Sequence, residues 1–233
     1  MNNLNKKDLL DEKGLNDEEQ GGDVMQGKVI KDIYKNAEQV AHLHATLTSP
    51  RGKYFRKKLL HMLADGLTAE EIVELTKEFG VEEYKRHINK FVDCGFITII
   101  EIDGKEGYVR TALGEEALNL TRKLERKIGP EKSEAIYKAS LGPNSIRLFL
   151  KIYGHKHEVS HTTNEIIYTP LEIGHLATFL PRTIEGLAAI DKIDDAGLVS
   201  YLDDGRIHLN PRRCVAFYQY LKGLYELIES EHN

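Results

Sequence analysis

Cysteine is scarce in this chain of 233 residues, which holds only two. Cys94 and Cys214 lie far apart and lack metal-ligand spacing, which argues against a disulfide framework or a zinc ribbon and favours a reducing cytoplasm. Long apolar runs are also missing. No segment approaches the roughly 20 apolar residues that span a bilayer, and the first residues lack the apolar stretch of a signal peptide. We therefore expect a cytoplasmic protein with no membrane partner.

Catalytic motifs are absent as well. The chain has no glycine-rich loop that would cradle a phosphate, no Gly-x-Ser-x-Gly elbow and no His-Glu-x-x-His pair. No two carboxylates stand at a spacing that predicts acid–base catalysis. The sequence favours a protein that is not an enzyme and needs no cofactor. An enzyme stays an alternative, because active-site residues can converge from scattered positions.

Positive charge is not in excess, since the net charge is -5 and the isoelectric point is about 6.1. Binding to phosphate relies on lysine and arginine, so this balance argues at first against nucleic acid. The first 27 residues, however, carry seven carboxylates against three lysines, which leaves the rest almost neutral. We expect residues 1–27 to form a disordered acidic tail.

Helical periodicity begins after this tail. Apolar residues from Lys28 to Leu47 recur at helical spacing, which predicts a separate amphipathic helix over residues 28–48. Ser49 and Pro50 then form a helix-start signal, and Gly66 a stop signal. The sequence therefore predicts a second helix between them.

A capping box follows at Thr68 and Glu71, in which each residue caps an amide of the other and starts a short helix. The segment VEEYKRHINKFVDCGFI predicts a further helix ending at Gly95. Its apolar residues share one face, and its basic and polar residues lie elsewhere. An apolar strand, the turn Asp103-Gly104 and a returning strand then predict a hairpin, closed by a helix from Leu113 to Ile128.

The same order of signals occurs a second time. The elements are a helix Asn144–Tyr153, a capping box Thr169–Glu172, a helix Arg182–Asp195, the stop Gly197 and the turn Asp204-Gly205. Each cap, stop and turn signal is displaced by 101 or 102 positions from its first copy, which indicates an internal repeat. We predict a first module over residues 49–129, a linker over 130–142 and a second module over 143–233.

These patterns resemble a known superfamily. The helix VEEYKRHINKFVDCGFI, its hairpin and the following TALGEEAL are similar to the recognition helix, wing and closing helix of winged helix-turn-helix regulators of the MarR, ArsR and PadR-like groups. The resemblance covers residues 50–129 well and 144–231 less well. It implies a mainly α fold with small β-wings, in two tandem modules, and a transcriptional regulator that binds double-stranded DNA as a homodimer.

The resemblance also assigns site residues. In such folds the third helix enters the major groove and the wing tip reaches the backbone. The candidates in the first module are Lys85, Arg86, Asn89 and Lys90 for bases or phosphates, Lys105 at the wing tip, and Lys53, Arg56 and Lys57 as backbone clamps. Glu82 and Glu83 depart from the pattern because they repel phosphate, so contact is expected to centre on the second and third helical turns.

The second module is poorer in positive charge. Its candidates for DNA contact are Arg182, Lys192 and Arg206. Two roles stay open: it reads a second half-site, or it has lost DNA binding and serves as an interaction domain. The last helix, from Pro211 to about Glu229, is amphipathic, and either dimerisation or packing onto its own module fits that pattern.

The second module also contains a histidine-rich insertion, Gly154-His-Lys-His-Glu-Val-Ser-His161. His155, His157 and His161 are candidates for a sensory metal site, but their spacing matches no specific metal signature and a plain polar loop or short strand is the favoured interpretation. Cys94 and Cys214 are expected to be small core residues.

Two other functions fit tandem winged helices. One is a protein–protein interaction subunit, like the winged-helix subunits of bacterial condensin complexes, which the acidic balance favours. The other is a plasmid-type replication initiator, for which we expect a more basic chain. For a regulator, we expect the second module and the flanking helices to provide dimerisation or the sensing of an effector or protein partner.

Overall fold

The computed structural model describes residues 27–48, 55–78, 84–159, 167–168, 184–203 and 206–231, and these are mostly helical with two small antiparallel sheets. The first elements are α1 (27–35), α2 (Ala37–Leu47), α3 (Phe55–Met62), β1 (Leu67–Thr68), α4 (Ala69–Glu78), α5 (Tyr84–Asp93), β2 (Ile97–Ile102), β3 (Lys105–Arg110), α6 (Ala112–Ile128) and α7 (Pro130–Lys138). The later ones are α8 (Pro143–Val159), β4 (Ile167–Tyr168), α9 (Ile184–Asp195), β5 (Val199–Tyr201), β6 (Ile207–Leu209) and α10 (Pro211–Glu231).

The two sheets have the same topology. The first has strand order β1-β3-β2 and the second β4-β6-β5, and every neighbouring pair is antiparallel. In each sheet a two-residue strand pairs with the second strand of a hairpin, and a helix precedes the hairpin. We call the part from α3 to α6 the first unit and the part from α8 to α10 the second unit.

The helix that precedes each hairpin ends in the same way. At the end of α5 the Phe96 amide donates to the Phe91 carbonyl at 2.9 Å and the Gly95 amide to the Val92 carbonyl at 2.9 Å. This pair of bonds is a Schellman motif, which requires a left-handed residue, and Gly95 has φ 65°.

The end of α9 repeats that motif 102 positions later. The Leu198 amide donates to the Ile193 carbonyl at 3.1 Å and the Gly197 amide to the Asp194 carbonyl at 2.6 Å. Gly197 has φ 64°. The stop-glycine correspondence in the sequence is thus matched by backbone geometry, whereas the second capping box and Asp204-Gly205 lie outside the described residues.

Two local predictions in the first unit are confirmed. The Thr68 amide donates to Glu71 Oε2 at 2.7 Å, and the Glu71 amide donates to Thr68 Oγ1 at 3.2 Å, as a capping box requires. At the hairpin turn Asp103 has φ 50° and Gly104 has φ 76°, the two positive values of a type I′ turn.

The N-terminal helix differs from its prediction in two respects. It is divided at Asn36, whose side-chain amide donates to the Asp32 carbonyl at 3.0 Å. It is also not separate, because α2 packs against α8 and α10 and buries Val40 and His44 fully. The acidic-tail prediction for residues 1–27 falls outside the described residues except at Gly27, where α1 begins.

The two units share one core rather than lying apart on a linker. The predicted linker 130–142 contains helix α7, whose Ile136 and Tyr137 are buried. The closing helices α6 and α10 pack against each other, and buried apolar residues form one cluster from α1 to α10. The chain therefore holds its two repeats in contact through their closing helices and α2.

Helix α10 explains part of that core. Its apolar stripe was open to two interpretations, and in the structure Tyr218, Leu221, Leu224 and Ile228 are buried within the same chain. Val215 is 39% exposed. Packing onto its own chain thus accounts for most of the stripe. None of the helices in the described ranges is long and apolar enough to cross a membrane.

Candidate nucleic-acid interface

Helix α5 divides its residues between the core and the solvent. Ile88 and Phe91 are 2% and 0% exposed and hold the helix against the first unit. Lys85, Arg86 and Asn89 are exposed on the other side. This division follows from the spacing of the apolar residues, as the sequence predicts. The exposed side, which we call the α5 face, carries two cations and one amide that can contact phosphates or base edges.

Arg56 is not on this surface, contrary to its predicted role as a backbone clamp. It is 7% exposed, and its Nε donates to His87 Nδ1 at 2.7 Å. Its Nη1 donates to the carbonyl oxygens of Ala45 and Thr46 at 2.6 and 3.4 Å. The guanidinium therefore joins α2, α3 and α5, and a buried Arg is retained because its donors are occupied. His87 accepts this hydrogen bond through Nδ1 and so fixes the position of the guanidinium.

The positive charges of this region lie close enough to affect one another. Burial lowers the pKa of Arg56, and repulsion from Arg86 lowers it further. Partial burial lowers the pKa of Lys90, again with repulsion from Arg56 and Arg86. Like charges held together raise the local positive potential, and a polyanion that approaches the α5 face would relieve their repulsion.

The other predicted contacts of the first unit are occupied or lie elsewhere. Lys57 is half-buried in an ion pair with Glu125 of α6, where it links α3 to the closing helix. Lys53 lies outside the described residues. Lys57 therefore does not add to the α5 face.

The hairpin that the sequence predicts to be a wing is acidic rather than basic. Lys105 at its tip donates to Glu70 Oε2 at 2.7 Å, and this hydrogen bond raises the pKa of Lys105. Glu101 and Glu106 stand directly opposite each other in the hairpin, and Asp103 occupies the turn. Carboxylates repel phosphate, so this hairpin would make a poorer contact with a DNA backbone than the sequence suggests.

The second unit lacks most of the positive charge at the equivalent positions. Counted from the stop glycines, Arg86 corresponds to Ala188 and Asn89 to Asp191, both exposed. Lys192, the counterpart of Lys90, is half-buried and donates to the Ser140 carbonyl at 3.4 Å. Arg206 is exposed and Arg182 lies outside the described residues.

The solvent side of α9 is instead an acidic surface around one tyrosine, which we call the α9 face. Burial raises the pKa of Asp194, and the neighbouring Asp195 and Asp191 raise it further. Tyr201 on β5 is 49% exposed, and its pKa is raised by partial burial and by Asp191 and Asp194. This surface disfavours contact with a phosphate backbone.

The metal and cysteine predictions have separate outcomes. His155 and His157 fall within α8, which extends to Val159, so this part of the insertion is helical rather than a loop. His161 lies outside the described residues, among which no group of three metal-ligating side chains occurs. Cys94 and Cys214 are buried thiols, as expected of small core residues.

His44 is a buried polar residue that the sequence did not single out as important. It is 0% exposed, and its Nδ1 lies 3.3 Å from the hydroxyl of Tyr220 on α10. Its Nε2 has no hydrogen-bond partner, and burial lowers the pKa of His44 to about 4. The pair joins α2 to the second unit and belongs to the core rather than to the α5 face.

Comparison with protein-family models, with curated proteins and with solved structures gives no match for this chain.

Proposed function

We propose that the protein is a DNA-binding transcriptional regulator whose first unit contacts duplex DNA through the α5 face. In the first unit the order helix, short strand, helix, helix, hairpin and closing helix supports the view that it is a winged helix-turn-helix module. The described elements of the second unit, which are a helix, a short strand, a helix, a hairpin and a closing helix, are consistent with the same architecture. In that fold the third helix enters the major groove. The observation that carries the proposal is the exposed set Lys85, Arg86 and Asn89 on the helix in that position.

The chemistry of these side chains fits a duplex. Arginine pairs with guanine and asparagine with adenine through two hydrogen bonds, while lysine contacts phosphates or guanine. The buried Arg56 lies behind the helix and adds positive potential without itself reaching solvent. The proposed contact is therefore concentrated on the α5 face rather than on the acidic hairpin.

The α9 face supports a different role for the second unit. Its carboxylates and the exposed Tyr201 fit a basic protein surface better than DNA, because a central aromatic residue is typical of protein-binding sites. An interaction subunit, with no DNA contact, is accordingly the second candidate function. It predicts a gel-filtration shift with a partner in the absence of nucleic acid, and no retardation of a duplex at low salt.

The test is the salt dependence of binding to a labelled duplex, measured by fluorescence anisotropy. Each phosphate contact adds about 0.9 to the slope of log K against log salt. Lys85→Ala/Arg86→Ala is expected to lower the slope by about 2 and the affinity at low salt at least about tenfold.

The matched control is Lys132→Ala/Lys138→Ala, which removes two exposed lysines from α7 and leaves the α5 face intact. It changes the net charge equally and should bind like the parent. If the two double variants bind alike, the α5 face is not the DNA contact. Selection of bound sequences from a random duplex pool then shows whether the site is a palindrome, as a homodimeric regulator requires.

A further inference from the structure

A groove follows the contact between α6 and α10, the closing helices of the two units. It consists of two adjoining cavities of about 380 and 330 Å³. The cavities share Leu120 and Lys123 of α6 and Gly223 and Glu226 of α10, so they lie side by side along one helix pair. Each has the size of a small-molecule site, for which volumes of about 300–1,000 Å³ are usual.

The inner side of the groove is apolar and fixed by helix packing. Leu124 and Ala216 line one cavity and Leu227 the other, and all three are almost fully buried. A Cβ atom at Gly223 would collide with the Leu120 side chain, so the glycine allows the close approach of the two helices. The apolar side of the groove is therefore formed where α6 and α10 pack closely together.

The rim of the groove is rich in cations. Four basic residues line it, against two carboxylates: Lys123, Arg126, Lys127 and Lys222 against Glu116 and Glu226. Lys222 lies 3.6 Å from Glu226, and Lys127 donates to Gln219. Lys123 and Arg126 are exposed, and no carboxylate of the described residues lies within ion-pair distance of either. Two exposed positive charges thus lie beside apolar surface, on a rim where cations outnumber carboxylates.

We propose that this groove binds a small organic anion that has an apolar body, such as an aromatic carboxylate. The carboxylate would accept charge-assisted hydrogen bonds from Lys123 and Arg126, and the ring would cover the leucine side chains. An inorganic ion would leave that apolar surface uncovered. The ligand would contact both units at their joint, which is where ligand sites commonly occur. The proposal is independent of DNA binding.

The test uses 4-(trifluoromethyl)benzoate as the probe and follows its ¹⁹F NMR signal during titration with the full chain. We expect saturable binding with a dissociation constant on the order of 1 mM, which is ordinary for a ligand of this size. Lys123→Ala/Arg126→Ala should weaken binding by about tenfold, because it removes both charge-assisted contacts. The neutral analogue 4-(trifluoromethyl)benzamide should bind the parent as weakly as the acid binds that variant.

Two control variants locate the site. Lys132→Ala/Lys138→Ala and Lys85→Ala/Arg86→Ala each remove two exposed cations outside the groove and should bind the probe like the parent. Three results would each overturn the proposal. The parent shows no saturable binding of the acid, the Lys123→Ala/Arg126→Ala variant binds the acid as tightly as the parent does, or the parent binds the amide as tightly as the acid. A thermal melt of every variant shows whether it is folded, as expected for changes at exposed side chains.

Discussion

The two units use the same backbone to present opposite charges. Helix α5 carries three cations and one carboxylate, whereas α9 carries one lysine and four carboxylates. Their stop motifs, hairpins and strand orders nonetheless agree. The core positions fix the fold and leave the exposed positions of the third helix unconstrained. A repeat can therefore keep its architecture while its exposed face changes from one suited to phosphate to one that repels it.

The largest expected effect tests whether the two cores are equivalent. Phe91 and Ile193 occupy matching positions and are 0% and 1% exposed. Phe91→Ala should lower the free energy of unfolding by about 3–5 kcal/mol and Ile193→Ala by about 2–5 kcal/mol, because each leaves a cavity. Denaturant unfolding followed by circular dichroism measures the loss.

The shape of the same unfolding curves is informative. Since the buried cluster is continuous, each variant should unfold in one transition, at a lower denaturant concentration than the parent. Two separate transitions, of which each substitution shifts only one, would contradict a shared core. Such a result would indicate two modules that unfold independently.

A second prediction concerns the joint between the units, where His44 contacts Tyr220. The pKa of His44 is about 4 in the folded chain against 6.5 as its ordinary value, so the unfolded chain binds the proton more tightly. The lowered pKa leaves the free energy of unfolding at its full value above pH 6.5, where His44 is neutral in both states. That free energy falls as the pH falls towards 4, because the unfolded chain takes up a proton first. The loss between pH 7 and pH 4 is expected to be about 3 kcal/mol.

Carboxylates also titrate in this pH range and change the stability of the parent. The His44→Gln variant is the control, because it keeps the carboxylates and removes only the histidine. The difference in unfolding free energy between parent and variant should narrow or change sign as the pH falls, since glutamine does not ionise. A difference that is constant from pH 7 to pH 4 would show that His44 does not titrate as its burial requires.

The smallest effect is expected at the stop glycines. Gly95→Ala should destabilise the chain by about 1 kcal/mol, because alanine is strained at a positive φ. Gly197→Ala should lower the free energy of unfolding by more than Gly95→Ala does, because its Cβ would also collide with the Arg213 guanidinium. That guanidinium donates to the Gly197 carbonyl at 3.1 Å, and the collision would displace it. Thermal melts compare the two variants, and equal costs would argue against that arginine contact.

Local signals in the sequence predicted local structure well. The capping box at Thr68, the turn at Asp103 and the helix stop at Gly95 each depend on a few neighbouring residues, so their geometry could be inferred without the fold. The division of α5 into a buried and an exposed side followed in the same way from the spacing of Ile88 and Phe91.

Features that depend on distant contacts could not be predicted. Arg56 stands among other basic residues in the sequence and was assigned to the surface, but His87 and two carbonyl groups of α2 hold it in the interior. His44 meets a tyrosine that is 176 positions away. The sequence predicts a linker where helix α7 lies, because the short apolar pattern of this helix is clear only once Ile136 packs into the core.

The most direct test of the difference between the units is an amide NMR titration of the full chain with a duplex. Such spectra report both units in one experiment. The account predicts that the largest chemical-shift changes occur at Lys85, Arg86, Asn89 and Lys90, while the amides of α9 stay near their free positions. Larger changes along α9 than along α5, or none on α5 at saturating duplex, would contradict it.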